Sequence, residues 1–301
     1  MGSPHATIGG KPSAERDPDV TIFQAIVLGI TQGLTEFAPV SSSGHLILVP
    51  WLFHWPILTN ESLNKTFDVA LHMGTFVGAV VYFRRDIGRY LVAWIHSIRA
   101  RAVSTMDERF AWFLVVGTLP GAAAGALFED VIEHKLGQPW LIALMLAVFA
   151  LILYAVDTRS DDARSFGDMT WRDTIVIGVA QAIALQPGVS RSGVTMTAAR
   201  GLGIDRESAA RFSFLLSLPI IGGAGVFKAA KVFSGGGLPA GFAGAFLSGT
   251  VASAVSGFLV IWGLLSYLRR RDYKLFVVYR IAAALFVLGI IASNVRPATI
   301  G

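Results

Sequence analysis

Residues 32–45 read Gln32-Gly33-Leu34-Thr35-Glu36-Phe37-Ala38-Pro39-Val40-Ser41-Ser42-Ser43-Gly44-His45, and residues 186–195 read Gln186-Pro187-Gly188-Val189-Ser190-Arg191-Ser192-Gly193-Val194-Thr195. Each stretch interrupts a long apolar segment, at 21–55 and 174–200. Proline, glycine and a run of hydroxyl side chains do not continue one helix. Within a bilayer, broken backbone is tolerated only where it is buried in protein or lines a wet cavity. Each segment is therefore expected to form a re-entrant helix–loop–helix hairpin that enters and leaves on one side.

Composition makes the bilayer the expected solvent. Of 301 residues, 53% are hydrophobic and 15% charged, against about 25% charged in an ordinary soluble domain. The mean hydropathy is +0.60. Six further apolar runs, at about 66–83, 110–128, 139–156, 208–228, 241–267 and 275–294, approach the roughly 20 residues that a helical crossing needs. The expected fold is thus all-α: an integral membrane protein of about six transmembrane helices plus two re-entrant hairpins. The polar residues 1–20 are expected to be a disordered tail, and 21–298 a single membrane domain. The absence of cysteine excludes a thiolate nucleophile and a Cys-based zinc site.

The two interruptions match each other at an offset of 149 residues, the distance from Gly29 to Gly178. The same offset pairs Gln32 with Gln181, Val40 with Val189, Ser41 with Ser190, Ser43 with Ser192 and Gly44 with Gly193. It extends to Gly74 with Gly223 and Val77 with Val226. A duplication is implied, with units at about 21–156 and 170–298. Each unit holds one hairpin and three crossings. Three is odd, so the second unit is expected upside down, with a site where the two hairpin tips meet.

The basic residues support that topology. Arg84, Arg85, Arg89, Arg99, Arg101 and Arg109 fall in one expected loop region, 84–109; Arg269, Arg270, Arg271 and Lys274 fall in another on the same side. That side is expected to be cytoplasmic. Residues 86–100 fit an interfacial amphipathic helix or a plain basic loop equally well. The opposite side is expected to hold loops at 129–138 and 229–240. A sequence pI near 9.7 is read as this topology signal, and nucleic acid is not an expected partner.

Gln32 and Glu36 stand four apart and share one helix face. Their oxygens suit a hard divalent cation, Mg²⁺ or Ca²⁺. A carboxylate within a membrane segment is costly and by default functional. Ser42 and His45 lie three apart, as a hydroxyl nucleophile and its base would. In the second stretch, Gly188, Ser190, Ser192 and Thr195, together with Ser41 of the first, are candidate phosphate ligands. Glycines and hydroxyls before a helix cradle anions through free N–H groups. Arg191 adds a planar cation that matches phosphate oxygens; its partner is Glu36 or a substrate phosphate, and both can hold in turn, a salt bridge at rest and a phosphate clamp when loaded. The set is that of metal-assisted phosphoryl transfer on a lipid phosphate.

At these residues the chain resembles the bacterial undecaprenyl-diphosphatase family of the bacitracin-resistance type. The resemblance rests on Gln32-x-x-x-Glu36, Pro39 to His45 and Pro187 to Thr195. It extends to Phe67-Asp68-Val69 with His72, Gly74 and Thr75, and to Phe212–Leu216 with Pro219. It implies hydrolysis of a C55 polyprenyl diphosphate to the monophosphate, recycling the carrier lipid of cell-wall synthesis. It implies Glu36 and Gln32 at the metal, Ser42 or His45 as nucleophile or base, and Arg191, Ser190 and Thr195 on phosphate. It also implies a multi-pass protein of the bacterial inner membrane whose site opens to the periplasmic face. Expected partners are the polyprenyl diphosphate, membrane lipids and a second copy of the chain in a homodimer. Many members carry glutamate where this chain has Gln32, which weakens the argument for a second acidic ligand.

Three other readings compete. Inverted repeats with broken helices are typical of secondary transporters and lipid flippases; Ser42, His45 and Arg191 favour an enzyme. Ser43-Gly44-His45 mimics an element of the type 2 phosphatidic-acid phosphatases. Thr197 stands where that class needs histidine, and its upstream basic element is missing. An intramembrane serine protease lacks its nucleophile motif. On the enzyme reading, Glu36→Ala, His45→Ala and Arg191→Ala are expected to lose most activity, and His72→Ala and His96→Ala to keep it.

Overall fold

The computed structural model describes residues 20–55, 61–234 and 242–300. The expected tail at 1–20 lies outside these, apart from Val20. Among the described residues the chain forms eleven α-helices and no strand. They are α1 (Ile22–Phe37), α2 (Ser42–Phe53), α3 (Glu61–Tyr82), α4 (Arg84–Ala100), α5 (Met106–Lys135), α6 (Pro139–Asp157), α7 (Trp171–Ile183), α8 (Arg191–Gly201), α9 (Arg206–Ser234), α10 (Ala243–Leu268) and α11 (Lys274–Ala292).

Five of them (α5, α6, α9, α10 and α11) are long and apolar enough to cross a membrane. The sixth expected crossing, 66–83, is α3. It meets that standard only together with α4, from which it is bent by 82°, because it carries Lys65, Asp68 and His72 in its first half. Large apolar side chains such as Leu247, Trp262 and Phe286 are more than half exposed, as they are where lipid replaces water. The chain is an all-α, multi-pass membrane protein.

Two expectations for the loops need correction. Residues 129–138 are mostly helix: α5 runs on to Lys135 through a kink at Phe128. Likewise α9 extends to Ser234, and 235–241 lie outside the described residues. Polar composition there marks the ends of long helices rather than loops. Residues 86–100, where a helix and a basic loop fitted equally well, are helical, within α4.

Both interrupted segments form helix–break–helix pairs. Thr21 caps α1 in a capping box with Gln24. The helix stops at Phe37 because Ala38 precedes Pro39, whose ring disfavours helical geometry before it. Ser41 then caps α2. In the second pair, Thr170 caps α7 with Asp173, the break spans 184–190, and Ser190 caps α8. That pair begins at Trp171, three residues before the expected start.

The helix packing exchanges under the repeat. Helix α1 packs on α10 while α7 packs on α5; α3 packs on α10 and α9 on α5; α3 meets α9 and α6 meets α11. Two close backbone approaches correspond too. A Cβ added at Gly29 would sit 2.3 Å from the Gly249 carbonyl of α10, and one at Gly178 would sit 2.6 Å from that of Gly117 in α5. The backbone of one helix lies directly on its neighbour in both places, which only glycine permits. The main core gathers Phe37, Phe83, Phe110, Phe113, Phe212 and Phe214 beneath the hairpin tips.

Candidate active site

The two breaks bring their capping serines together. Ser41 and Ser190 both adopt φ of 76°, a left-handed conformation uncommon outside glycine. Each accepts from the backbone N–H two residues into its helix, Gly44 at 3.4 Å and Gly193 at 3.1 Å. The breaks are also joined directly. Gly188 N–H donates to Ser41 Oγ at 3.0 Å, and Ser192 Oγ–H donates to the Ala38 carbonyl at 2.9 Å.

Above this junction lies a cavity of about 510 Å³. Glu36, Ser41, Ser42, Ser43, Ser190 and Arg191 line its floor, with Asp68 and His72 of α3 on one wall and Ile220, Ile221 and Ala224 of α9 on another. Glu36 is the hub. Its Oε2 accepts from Ser42 Oγ at 2.6 Å and from Gln32 Nε2 at 3.0 Å. Its Oε1 accepts from Arg191 Nη2 at 2.9 Å. Of the two partners expected for Arg191, the structure therefore holds Glu36, the one expected at rest. A buried carboxylate needs such partners, since desolvation otherwise outweighs its charge. Arg191 also donates to the Ser213 carbonyl at 3.2 Å, which anchors it on α9.

The N-terminal turns of α2 and α8 begin at the cavity-lining residues Ser42 and Arg191. Two helix dipoles thus place their positive ends at one spot, which favours an anion.

Not every expected site residue reaches the cavity. His45 is buried at 7% exposure, with both ring nitrogens engaged: Nδ1 with the Ser41 carbonyl at 2.7 Å and Nε2 with Tyr279 Oη at 2.7 Å. It stacks on Tyr279 and does not line the cavity. Gly188, Ser192 and Thr195 also lie behind the wall. Thr195 bonds the Arg191 carbonyl and Ser213 Oγ, so it supports the helix that carries Arg191. The Gly188 amide and the Ser192 hydroxyl are spent on the junction itself.

His72 is the residue that sequence reasoning set aside and the fold brings in. Its Nδ1 bonds the Asp68 carbonyl at 2.7 Å, as His45 bonds Ser41, but its Nε2 lies 3.7 Å from Glu36 Oε2 on the cavity wall. The available signal was its helical spacing from Asp68; nothing local told it from a packed histidine.

Gln32 Oε1 is buried and accepts no hydrogen bond among the described residues. The amide Nε2 of Gln32 is the atom that faces the Glu36 carboxylate, at 3.0 Å, so the amide would have to turn over for Gln32 and Glu36 to offer a hard cation two oxygen donors. Among the described residues no three His, Asp or Glu side chains are close enough to hold a metal alone. The set fits a cation that shares its ligands with a phosphate-bearing molecule, as Mg²⁺ commonly does.

A family model described as "Bacitracin resistance protein BacA" matches residues 25–286. Curated relatives named undecaprenyl-diphosphatase are similar over nearly the whole chain. That of Pelotomaculum thermopropionicum is 45% identical over 275 residues, covering 91% of this chain and 98% of the relative. That of Desulforudis audaxviator is 46% identical, covering 88% and 96%. That of Geobacter sulfurreducens is 47% identical, covering 89% and 97%.

Proposed function

The chain belongs to the bacitracin resistance protein BacA family, and on that premise we propose how its residues divide the work of a diphosphatase. The enzyme hydrolyses undecaprenyl diphosphate to undecaprenyl phosphate and inorganic phosphate, which recycles the lipid carrier. The observation that carries the reading is Glu36, bonded through one oxygen to Ser42 and through the other to Arg191.

In this reading the diphosphate displaces Glu36 from Arg191. The guanidinium takes the distal phosphate, where its planar fork matches two oxygens. The helix N-termini at Ser42 and Ser190 share that charge. Glu36, no longer paired, is free to take the Ser42 proton. Ser42 Oγ then bonds the distal phosphorus as the anhydride P–O bond breaks, and undecaprenyl phosphate leaves with that bond's electron pair. Water hydrolyses the phosphoserine, releasing phosphate and returning the proton to Ser42. His45 would serve this site by fixing the Ser41 carbonyl, and Ser192, Thr195 and Gly188 by fixing the two breaks. Gln32 and Glu36 would hold a divalent cation, Mg²⁺ or Ca²⁺. When bound, it would neutralise charge developing on the phosphoryl oxygens.

The orientation belongs to the same proposal. The cavity opens beside Asn64 and Asp68 at the start of α3, whereas Arg84 and Arg85 follow its far end. Basic ends face the cytoplasm, so the site would open to the periplasmic side of the inner membrane. The repeat units at 21–156 and 170–298 agree with the exchanged helix packing. A homodimer is part of the reading and is checked by the protein's mass in detergent.

The test is phosphate release from C55 diphosphate by purified protein, with added Mg²⁺ or Ca²⁺ and with chelator. Release that chelator abolishes and metal restores is expected. No release under any condition would leave the transporter alternative; release indifferent to chelator would remove the cation.

A further inference from the structure

Arg280 of α11 is fully buried and was singled out by no motif. Its guanidinium makes five hydrogen bonds, all of them to backbone carbonyls. Nη1 donates to Pro39 O at 3.1 Å; Nη2 donates to Gly188 O at 2.9 Å, Val189 O at 3.0 Å and Met145 O at 3.4 Å; Nε donates to Leu146 O at 3.1 Å. No aspartate or glutamate pairs with it among the described residues. Pro39 and Gly188 are equivalent positions, separated by the repeat offset of 149 residues. One guanidinium thus bonds the same carbonyl in each of the two breaks.

Those carbonyls need a partner. A break frees backbone groups that a continuous helix would bond, and at membrane depth an unsatisfied carbonyl costs several kcal/mol. A lysine ammonium could reach one break. Only a planar fork spans both. The span sets the separation of the two helix N-termini, and hence the distance from Ser42 to Arg191.

The charge matters as well. The guanidinium lies directly behind the first turn of α8, where a Cβ on Gly193 would meet Nη1 at 3.0 Å. A permanently charged group buried without an acid adds a positive field to the spot where two helix dipoles already point. We propose that Arg280 is a positioning residue for the diphosphatase reaction, holding the two hairpin breaks in register and lending its charge to the bound diphosphate.

The inference rests on the reading given under Proposed function, and the experiment separates the two. Wild-type enzyme, Arg280→Lys and Arg280→Gln are purified in detergent and checked for monodispersity and helix content. kcat and KM are then measured on C55 diphosphate, and the rise in melting temperature on adding inorganic pyrophosphate is recorded. Arg280→Lys keeps the charge and loses the fork. It is expected to lose about 100-fold in kcat, as for a misplacement of about 1 Å, with KM and the pyrophosphate shift near wild type. Arg280→Gln loses both, and its KM rises about tenfold in addition, with the pyrophosphate shift abolished.

If both variants fold with wild-type kcat and KM and differ only in melting temperature, Arg280 is structural and the proposal is overturned. If wild-type protein itself releases no phosphate, it is the functional reading that fails. Should neither variant fold, Gly193→Ala supplies the test, since its methyl crowds Nη1 at 3.0 Å and leaves the charge in place; Ser190→Ala is the control for the Ser190 cap that the methyl also meets at 3.1 Å. A several-fold drop in kcat at constant KM supports the proposal, and an unchanged kcat overturns it.

Discussion

The two hairpin breaks have nearly the same backbone and different chemistry. Ser41 and Ser190 share φ of 76°, and their ψ values are 94° and 112°. Ser41 Oγ lies 3.4 Å from Ser43 Oγ, and Ser190 Oγ lies 3.2 Å from Ser192 Oγ. Yet Glu36 corresponds to Leu185, Ser42 to Arg191 and His45 to Val194. The matched serines cap the two helices, and the differing positions carry the carboxylate, the Ser42 hydroxyl and the guanidinium. Two breaks of nearly the same backbone therefore carry different side chains: a carboxylate and a hydroxyl in the first, a guanidinium in the second.

The largest effect should come from removing one side of that division. Arg191→Ala and Glu36→Ala are each expected to lower kcat/KM by about a thousandfold or more, since an arginine on a transferring phosphoryl group commonly contributes that much. Phosphate release at saturating and limiting substrate measures it. Near-wild-type turnover in Arg191→Ala would break the assignment of the second hairpin to phosphate.

A smaller effect separates the two histidines. His72→Ala is expected to lower turnover about tenfold with little change in melting temperature, because its ring edges the cavity beside Glu36. This reverses the expectation from sequence. His45→Ala should lose activity together with about 1–3 kcal/mol of stability, the cost of leaving buried partners unpaired. Parallel activity and thermal-unfolding curves decide it. A His72→Ala enzyme of full activity would return the catalytic histidine to the first hairpin.

The smallest effect tests the shared backbone. Ser41→Ala and Ser190→Ala each remove a helix cap worth about 1 kcal/mol, and Ser41→Ala should cost more, because Ser41 Oγ also accepts from Gly188 N–H of the other break. Equal losses would mean that this cross-break bond contributes nothing. Orientation is checked apart from these: a tag after Arg271 should label from the cytoplasmic side and one after Arg296 from the other.

Much of this was local and so open to reading in the sequence. The apolar runs, the proline and glycine breaks, the 149-residue offset and the carboxylate four residues from Gln32 are short-range patterns. Local composition fixes local structure when the solvent is lipid, because every backbone group must be satisfied within its own segment or a neighbour. The pairing of Glu36 with Arg191 was foreseeable as well, since a membrane-depth arginine needs an anion.

What the sequence could not assign is which of two similar side chains faces the cavity. His45 and His72 each bond a carbonyl four residues back. Only the packing of Tyr279 against one and the position of α3 against Glu36 make the first a support and the second a wall. Arg280 is the clearest case. Its hydrogen bonds reach carbonyls 241 and 92 residues away, and no local pattern encodes such a contact. The sequence by itself determined the membrane fold, the two breaks and the reactive pair. Tertiary structure decided which groups meet, because convergence at the junction depends on how the helices pack, and a single buried guanidinium bonds both breaks at once.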